Sequence, residues 1–194
     1  CILDCTFCYE TVFWRRFRKM SPERVVAEIE HQIAVHPLRD LAQTSGRRFT
    51  VQFGDSLVNG HLAGLRRTAQ LLVDRGVDVH WGGQAVIDVR MDREYLELLA
   101  RSGCTGLGFG LESGSQRVLD SMGKRFKIRD GRRFLRLCVQ SGVSPTVNIT
   151  GVTDRASRSA RASTVARAIS QDAPPGTSAV HTAVRGLQKQ SNTR

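Results

Sequence analysis

The stretch Cys1-Ile2-Leu3-Asp4-Cys5-Thr6-Phe7-Cys8 decides how the rest of this chain is read. It sets three thiols in eight residues, with three residues between the first pair and two between the second. Thiolates are soft ligands that suit iron–sulfur clusters and zinc, and a short loop can wrap three of them around one centre. A fourth thiolate would close a 4Fe–4S cluster, whereas three leave one iron open to bind something else. A disulfide with a spare thiol belongs in a secreted protein, and nothing else in the chain reads as secreted. A structural zinc site wants a fourth ligand nearby, and the nearest histidine, His31, falls in a segment of helical pattern. On spacing alone, iron–sulfur and zinc stand level.

Working outward, 194 residues with an apolar share of 40% and a charged share of 24% suffice for one domain with a real core. No apolar run approaches the ~20 residues needed to cross a bilayer, and no secretory signal pattern is present. A cytoplasmic protein without membrane partners is expected. The net charge of +11 is unevenly placed: residues 1–151 carry 22 Lys/Arg against 16 Asp/Glu, and residues 152–194 carry 7 against 2. Such a balance favours anionic surfaces in general and supplies no specificity.

After the cysteine loop, Tyr9 to Lys19 interleaves aromatic rings with arginines. Rings and guanidinium groups can stack on bases; a loop covering the cysteines, its rings shielding them, is the preferred reading. Ser21-Pro22-Glu23 starts a helix, with a side-chain cap, proline at the first position and an acid near the positive end. Val25, Val26, Ile29 and Ile33 form its apolar stripe, and Pro37 lies beyond its end. Arg48 to Phe53 then alternates as a strand. Three helix–strand repeats follow. A helix over Leu62, Leu65, Ala69 and Leu72 stops at Gly76 before a strand over 77–81. One capped by Asp92, with Leu96 and Leu99, stops at Gly103 before a strand over 105–111. One with Phe134, Leu135 and Cys138 stops at Gly142 before a strand over 143–149. A glycine closing each helix is the expected left-handed cap. Alternating strands and helices predict an α/β fold with a parallel sheet, either open and doubly wound or closed toward a barrel.

Farther on, Gly110-Leu111-Glu112-Ser113-Gly114-Ser115-Gln116-Arg117-Val118-Leu119-Asp120-Ser121-Met122-Gly123-Lys124 supplies a second motif. Together with a C-x3-C-x2-C loop whose last cysteine follows an aromatic residue, Phe7, it resembles the radical S-adenosylmethionine (radical SAM) superfamily. The second motif looks like the fourth-strand segment of the branch whose radical domain usually follows a cobalamin-binding domain. The resemblance covers about residues 1–151 and implies a partial (β/α)6 barrel, incomplete at both ends. In such barrels the chemistry gathers at the carboxyl ends of the strands.

The resemblance also implies a mechanism. The open iron of a 4Fe–4S cluster on Cys1, Cys5 and Cys8 is chelated by S-adenosylmethionine. One electron then breaks a carbon–sulfur bond and gives a 5′-deoxyadenosyl radical for hydrogen abstraction or methyl transfer on an unidentified substrate. Phe7 is expected beside the adenine. Gly54-Asp55-Ser56 sits where the family often has Gly-Gly-Glu, whose acid receives the cofactor's ammonium; the plainer reading of Asp55 is a turn or helix cap. Gln84 follows the next strand. Glu112, with Ser113 beside it, follows the glycine-rich strand, where a buried acid needs a partner: the cofactor, or Lys124 or a nearby arginine. Asn148 is expected to face the cofactor from the last of these strands. Glycines 106, 108 and 110 lie within a strand and so read as close-approach positions rather than a dinucleotide fingerprint. Cys104 and Cys138 read as core. An electron donor of flavodoxin or ferredoxin type is implied, and cobalamin through an upstream domain.

From residue 152 onward no Phe, Trp or Tyr occurs. Gly151-Val152-Thr153-Asp154 departs from the family's Gly-x-Pro-x-Glu continuation, so 152–194 is expected to be a basic tail, poorly ordered or not native to the fold. The other function class the chain admits is a zinc-stabilised nucleic-acid-binding module, built on the thiols and the basic stretch. Nucleic acid is otherwise disfavoured as a partner.

Overall fold

The computed structural model describes residues 1–14, 16–35, 48–150 and 182–185. Along the chain run α1 (Glu10–Phe13), α2 (Pro22–Val35), β1 (Phe49–Gln52), α3 (Leu62–Asp74), β2 (Val79–Ala85), α4 (Arg93–Arg101) and β3 (Cys104–Glu112). Then come α5 (Gln116–Ser121), α6 (Ile128–Gln140), β4 (Ser144–Thr150) and β5 (Thr182–Arg185).

The caps fall where the sequence puts them. Ser21 Oγ accepts from the Arg24 amide at 3.2 Å, opening α2. Asp92 does the same for α4, accepting from the Tyr95 amide at 2.9 Å. Gly76, Gly103 and Gly142 end α3, α4 and α6 at φ of +62°, +92° and +85°, a region that costs an L-residue free energy. At Gly103 an added Cβ would lie 1.9 Å from the Val79 carbonyl oxygen, so this turn also admits nothing larger.

All strands are parallel and hydrogen-bonded in chain order, β1-β2-β3-β4-β5. A doubly wound sheet reverses its order at a switch point; this one does not, which is the winding of a barrel wall. The helices neighbour one another in the same order, α2 on α3, α3 on α4 and α4 on α6. They cover one face of the sheet. Val26, Leu72, Leu96, Leu99, Phe134 and Leu135 pack there against Trp81, Leu107, Phe109 and Val147. The Phe109 and Phe134 rings meet edge to face at 5.5 Å. Cys104 and Cys138 lie in this core as expected; burial pushes the Cys104 thiol up to about 12 and raises that of Cys138 as well.

One strand differs from expectation. β2 runs to Ala85, through Gly82 and Gly83, where the sequence reads as a strand ending at Trp81. Glycine usually weakens a strand, but here its lack of a side chain is used. A Cβ at Gly82 would fall 2.8 Å from the Gly106 carbonyl oxygen, and one at Gly83 2.6 Å from Val58 Cγ1. The expectation for 152–194 lies outside the described residues, except at Thr182–Arg185, which pair with β4 from Val147↔Thr182 to Thr150↔Arg185.

Candidate active site

Strand alternation and register place the polar residues together. Gln52 pairs with Gly82, Gln84 with Gly108, and Gly108 with Thr146; Gly110 pairs with Asn148. Gln52, Gln84, Thr146 and Asn148 therefore share the face opposite the helices with Gly82, Gly106, Gly108 and Gly110. The glycines make that face shallow. A Cβ at 108 would stand 2.7 Å from the Gln84 amide, which lies across that position. Gln84 is exposed and Asn148 half-buried, so both reach the open side from strand carboxyl ends.

The end of β3 bends toward the same side. The register shifts between Gly110 and Glu112, a bulge that re-aims the following residue. Glu112 adopts φ +66°, and its Oε1 would lie 2.6 Å from a Cβ at Gly110. The carboxylate thus folds back over the glycine strip. Lys124, reached from the far end of α5, places Nζ 3.4 Å from Glu112 Oε1 and donates to the Gly110 carbonyl at 3.0 Å. Both side chains are nearly buried, 8% exposed for Lys124 and 11% for Glu112. Glu112 therefore has the lysine partner that the sequence offered beside the cofactor. Ser113 turns the chain here, its Oγ accepting from the Ser115 amide at 3.1 Å.

The cysteine loop docks on the turn that carries Lys124. The Thr6 amide donates to the Met122 carbonyl and its hydroxyl to the Ser121 carbonyl, each at 3.2 Å. Arg125 pairs with Asp4 at 2.9 Å, and the Phe7 ring centroid lies 5.4 Å from Lys124 Nζ. Cys1, Cys5 and Cys8 form no disulfide and are half-buried. Burial pushes the Cys5 thiol above its ordinary value while Lys124 pulls it down.

Other expected residues stand apart from this cluster. Asp55 and Ser56 are exposed, and Ser56 donates to Glu10 of α1; Gly54 faces open space. Two of the rings expected to cover the cysteines are turned to solvent. Tyr9 is 85% and Phe13 75% exposed, Phe13 meeting Trp14 edge to face at 4.8 Å, while Arg18 stacks 4.5 Å over Trp14. Lys124 as an organising group, Gln52, and the Arg125–Asp4 pair escaped the sequence reading. The signal for the first was a glycine–lysine pair closing the second motif.

With this geometry in view, the comparisons are direct. The family model of the Radical SAM superfamily matches residues 1–156, and the chain belongs to that superfamily. It is 28% identical over 149 residues to the anaerobic magnesium-protoporphyrin IX monomethyl ester cyclase of Rubrivivax gelatinosus, covering 74% of this chain and 24% of the relative. It is 34% identical over 129 residues to the cytidylyl-2-hydroxyethylphosphonate methyltransferase of Streptomyces wedmorensis, 64% of this chain and 22% of the relative. Among solved structures, the radical S-adenosylmethionine methyltransferase TsrM of Kitasatospora setae, with cobalamin and a [4Fe-4S] cluster bound, superposes with a TM-score of 0.59 at 21% identity. The match covers 77% of this chain and 27% of TsrM. The cobalamin-dependent radical enzyme OxsB, with aqua-cobalamin bound, gives 0.61 at 18% identity, covering 75% and 22%. The chain spans about a quarter of the length of these relatives. The zinc-module alternative gives way to this membership, and the barrel-type fold it implied is the one observed.

The donor set fits an iron–sulfur cluster. Three thiols, the soft donors such a cluster takes, sit on one half-buried loop. A cluster asks each thiolate to hold a different iron, so its ligands need not converge on one point.

Proposed function

We propose that the chain is the radical domain of an enzyme that binds a 4Fe–4S cluster and S-adenosylmethionine. The observation that carries this is the docking of the cysteine loop on the Ser121–Arg125 turn, which brings Cys5 and Phe7 to Lys124, the ion-pair partner of Glu112 at the end of β3. When bound, the reduced cluster supplies the electron that cleaves a carbon–sulfur bond of S-adenosylmethionine to methionine and a 5′-deoxyadenosyl radical. Cys1, Cys5 and Cys8 hold the cluster as thiolates. Glu112 receives the cofactor's ammonium or ribose through a charge-assisted hydrogen bond, with Ser113 shaping the turn beside it. Phe7 offers its ring to the adenine. Gln84 and Asn148 present neutral amides above the glycine strip, which lets a ligand lie close to the backbone. Gly54, Asp55 and Ser56, at the rim after β1, are the second place for the ammonium.

Residues 1–151 form this domain in the proposal, with 152–194 a basic tail set apart by composition. The substrate side is hydrogen abstraction or methyl transfer, the latter favoured by the methyltransferase among the relatives. A substrate and a reductant are required, the reductant being a flavodoxin- or ferredoxin-type protein, and cobalamin would come through a domain outside this span. No helix among the described residues is long and apolar enough to cross a membrane; a cytoplasmic setting suits reduced thiols. The test is anaerobic reconstitution with iron and sulfide, followed by metal analysis of Cys1→Ala, Cys5→Ala and Cys8→Ala and chromatography for 5′-deoxyadenosine. Each variant is expected to lose most of its iron. Unchanged iron in Cys5→Ala would overturn the assignment.

A further inference from the structure

The segment that follows the cysteine loop is anchored on its inner side and open on its outer one. Ser56, in the loop after β1, donates to Glu10. The ring of Phe17 packs against Gly60, where a Cβ would lie 2.5 Å from Phe17 Cζ. Around these anchors three rings (Tyr9, Phe13 and Trp14) and three cations (Arg16, Arg18 and Lys19) are exposed. The groups are held by one another: Phe13 meets Trp14 edge to face at 4.8 Å, and Arg18 lies 4.5 Å over the Trp14 ring. Side chains already fixed lose little freedom when a partner arrives. Trp, Tyr and Arg are also the residues that carry most of the energy of protein interfaces.

Charge selects the kind of partner. Between Glu10 and Glu23 the sequence has Arg15, Arg16, Arg18 and Lys19 and no acid. Among the described residues no carboxylate pairs with Arg16, Arg18 or Lys19. On α3 the arginines are neutralised instead, Arg66 by Glu94, Arg67 by Glu23 and Arg75, just past its end, by Glu30. Cations set among rings steer an acidic surface toward them and turn basic ones away. Position then says what that partner brings. Tyr9 is bonded to Cys8, so a protein seated on these rings lies against the cysteine loop. The reaction proposed for that loop consumes one electron from outside the chain.

We propose that the outer face of residues 9–19 is the docking surface for an acidic one-electron carrier protein, the reductant of the site described above. The inference rests on that reading of the site. The carrier gives up one electron per reaction and leaves oxidised by one electron, and that electron is the one that cleaves the carbon–sulfur bond. Interfaces of this kind are small, so charge governs the encounter more than buried area does.

The experiment titrates the reconstituted chain by calorimetry, at low and high salt, with an acidic flavodoxin and separately with an acidic ferredoxin. It also measures 5′-deoxyadenosine formed with each reduced carrier and with dithionite, a small reductant that needs no docking surface. One carrier at least is expected to bind, more weakly at high salt. Arg16→Glu combined with Arg18→Glu is expected to weaken that binding about tenfold, and Phe13→Ser about fivefold. Arg133→Glu combined with Arg136→Glu makes the same change of charge at exposed positions of α6 and should leave binding within about twofold. With dithionite every variant should match the wild type. Failure of both carriers to bind overturns the inference, as does equal weakening by the two charge-reversed pairs. A mixed-sequence single-stranded DNA that binds through Arg16 and Phe13 more tightly than either carrier overturns it in favour of nucleic acid. Normal turnover with dithionite, beside carrier binding indifferent to Arg16, Arg18 and Phe13, overturns this inference alone. A wild-type chain that loads iron yet forms no 5′-deoxyadenosine with dithionite overturns the reading of the site, and the partner's role with it.

Discussion

The two faces of the sheet are built from the same strands and obey opposite rules. On the helix side Trp81, Leu107, Phe109 and Val147 are at most 1% exposed and large. On the open side the residues between them are glycines or carry amides and hydroxyls: Gly106, Gly108, Gly110, Gln84, Thr146 and Asn148. Alternation in a strand assigns successive residues to opposite faces, so stability and ligand contact are written into one sequence without competing for positions. A slip of a single residue would exchange the two.

That division predicts a gradient of effects. Phe109→Ala, on the helix side, removes a ring from a closed core and should cost about 3–5 kcal/mol in urea unfolding. A loss below ~1 kcal/mol would mean the core is far looser than its burial implies. Glu112→Gln, on the open side, should leave iron loading intact and weaken S-adenosylmethionine binding by about 1.5–3 kcal/mol, the worth of a hydrogen bond to a charged group. Failure of this variant to fold would make the acid a structural partner of Lys124 instead. Gly108→Ala should change stability by less than ~1 kcal/mol, because the atom it meets is the movable end of Gln84. Displacing that amide should still lower ligand affinity, measured by the same titration, and unchanged affinity would remove Gln84 from the site.

The smallest effect belongs to the rim between the faces. Hydrogen bonds from Arg90 hold the Asp88 carboxyl below its ordinary value of 3.8. A carboxylate lowered in the folded state adds stability that is present above the ordinary value and is lost as pH falls from there through the folded one. Asp88→Asn should therefore lower stability slightly at neutral pH, and its difference from the wild type should shrink to nothing as pH falls from about 4 through the lowered value. A difference that appears only in acid, with none at neutral pH, would contradict this.

Much of the architecture was legible because it is set locally. Asp92, Ser21 and the capping glycines act within a turn of themselves, and the helix stripes at 62–72 and 128–138 follow from spacing alone. The end of β2 was not, since Gly82-Gly83 reads as a break until the neighbouring carbonyl of Gly106 and the Val58 side chain are seen to fill the space. The cysteine motif was legible as chemistry, but its seat was not. Thr6 and Ser121 lie 115 positions apart, and nothing in either segment names the other. The exposed rings of Tyr9 and Phe13 differ from the cover expected of them for a related reason: aromatic content says that a segment can bury area, not that a surface is there to receive it.

The left-handed backbone at Glu112 has a consequence for how this site can drift. A non-glycine residue at φ +66° carries roughly 1–3 kcal/mol of strain. Glycine at that position would relax the backbone, so a chain selected for folding alone would move toward it. The same change would leave the Lys124 ammonium nearly buried without its carboxylate. The acid and the lysine thus guard each other's position. A descendant that loses its need for the carboxylate can be recognised by losing both, acid to glycine and lysine to something apolar, while the capping glycines that merely shape the fold stay where they are.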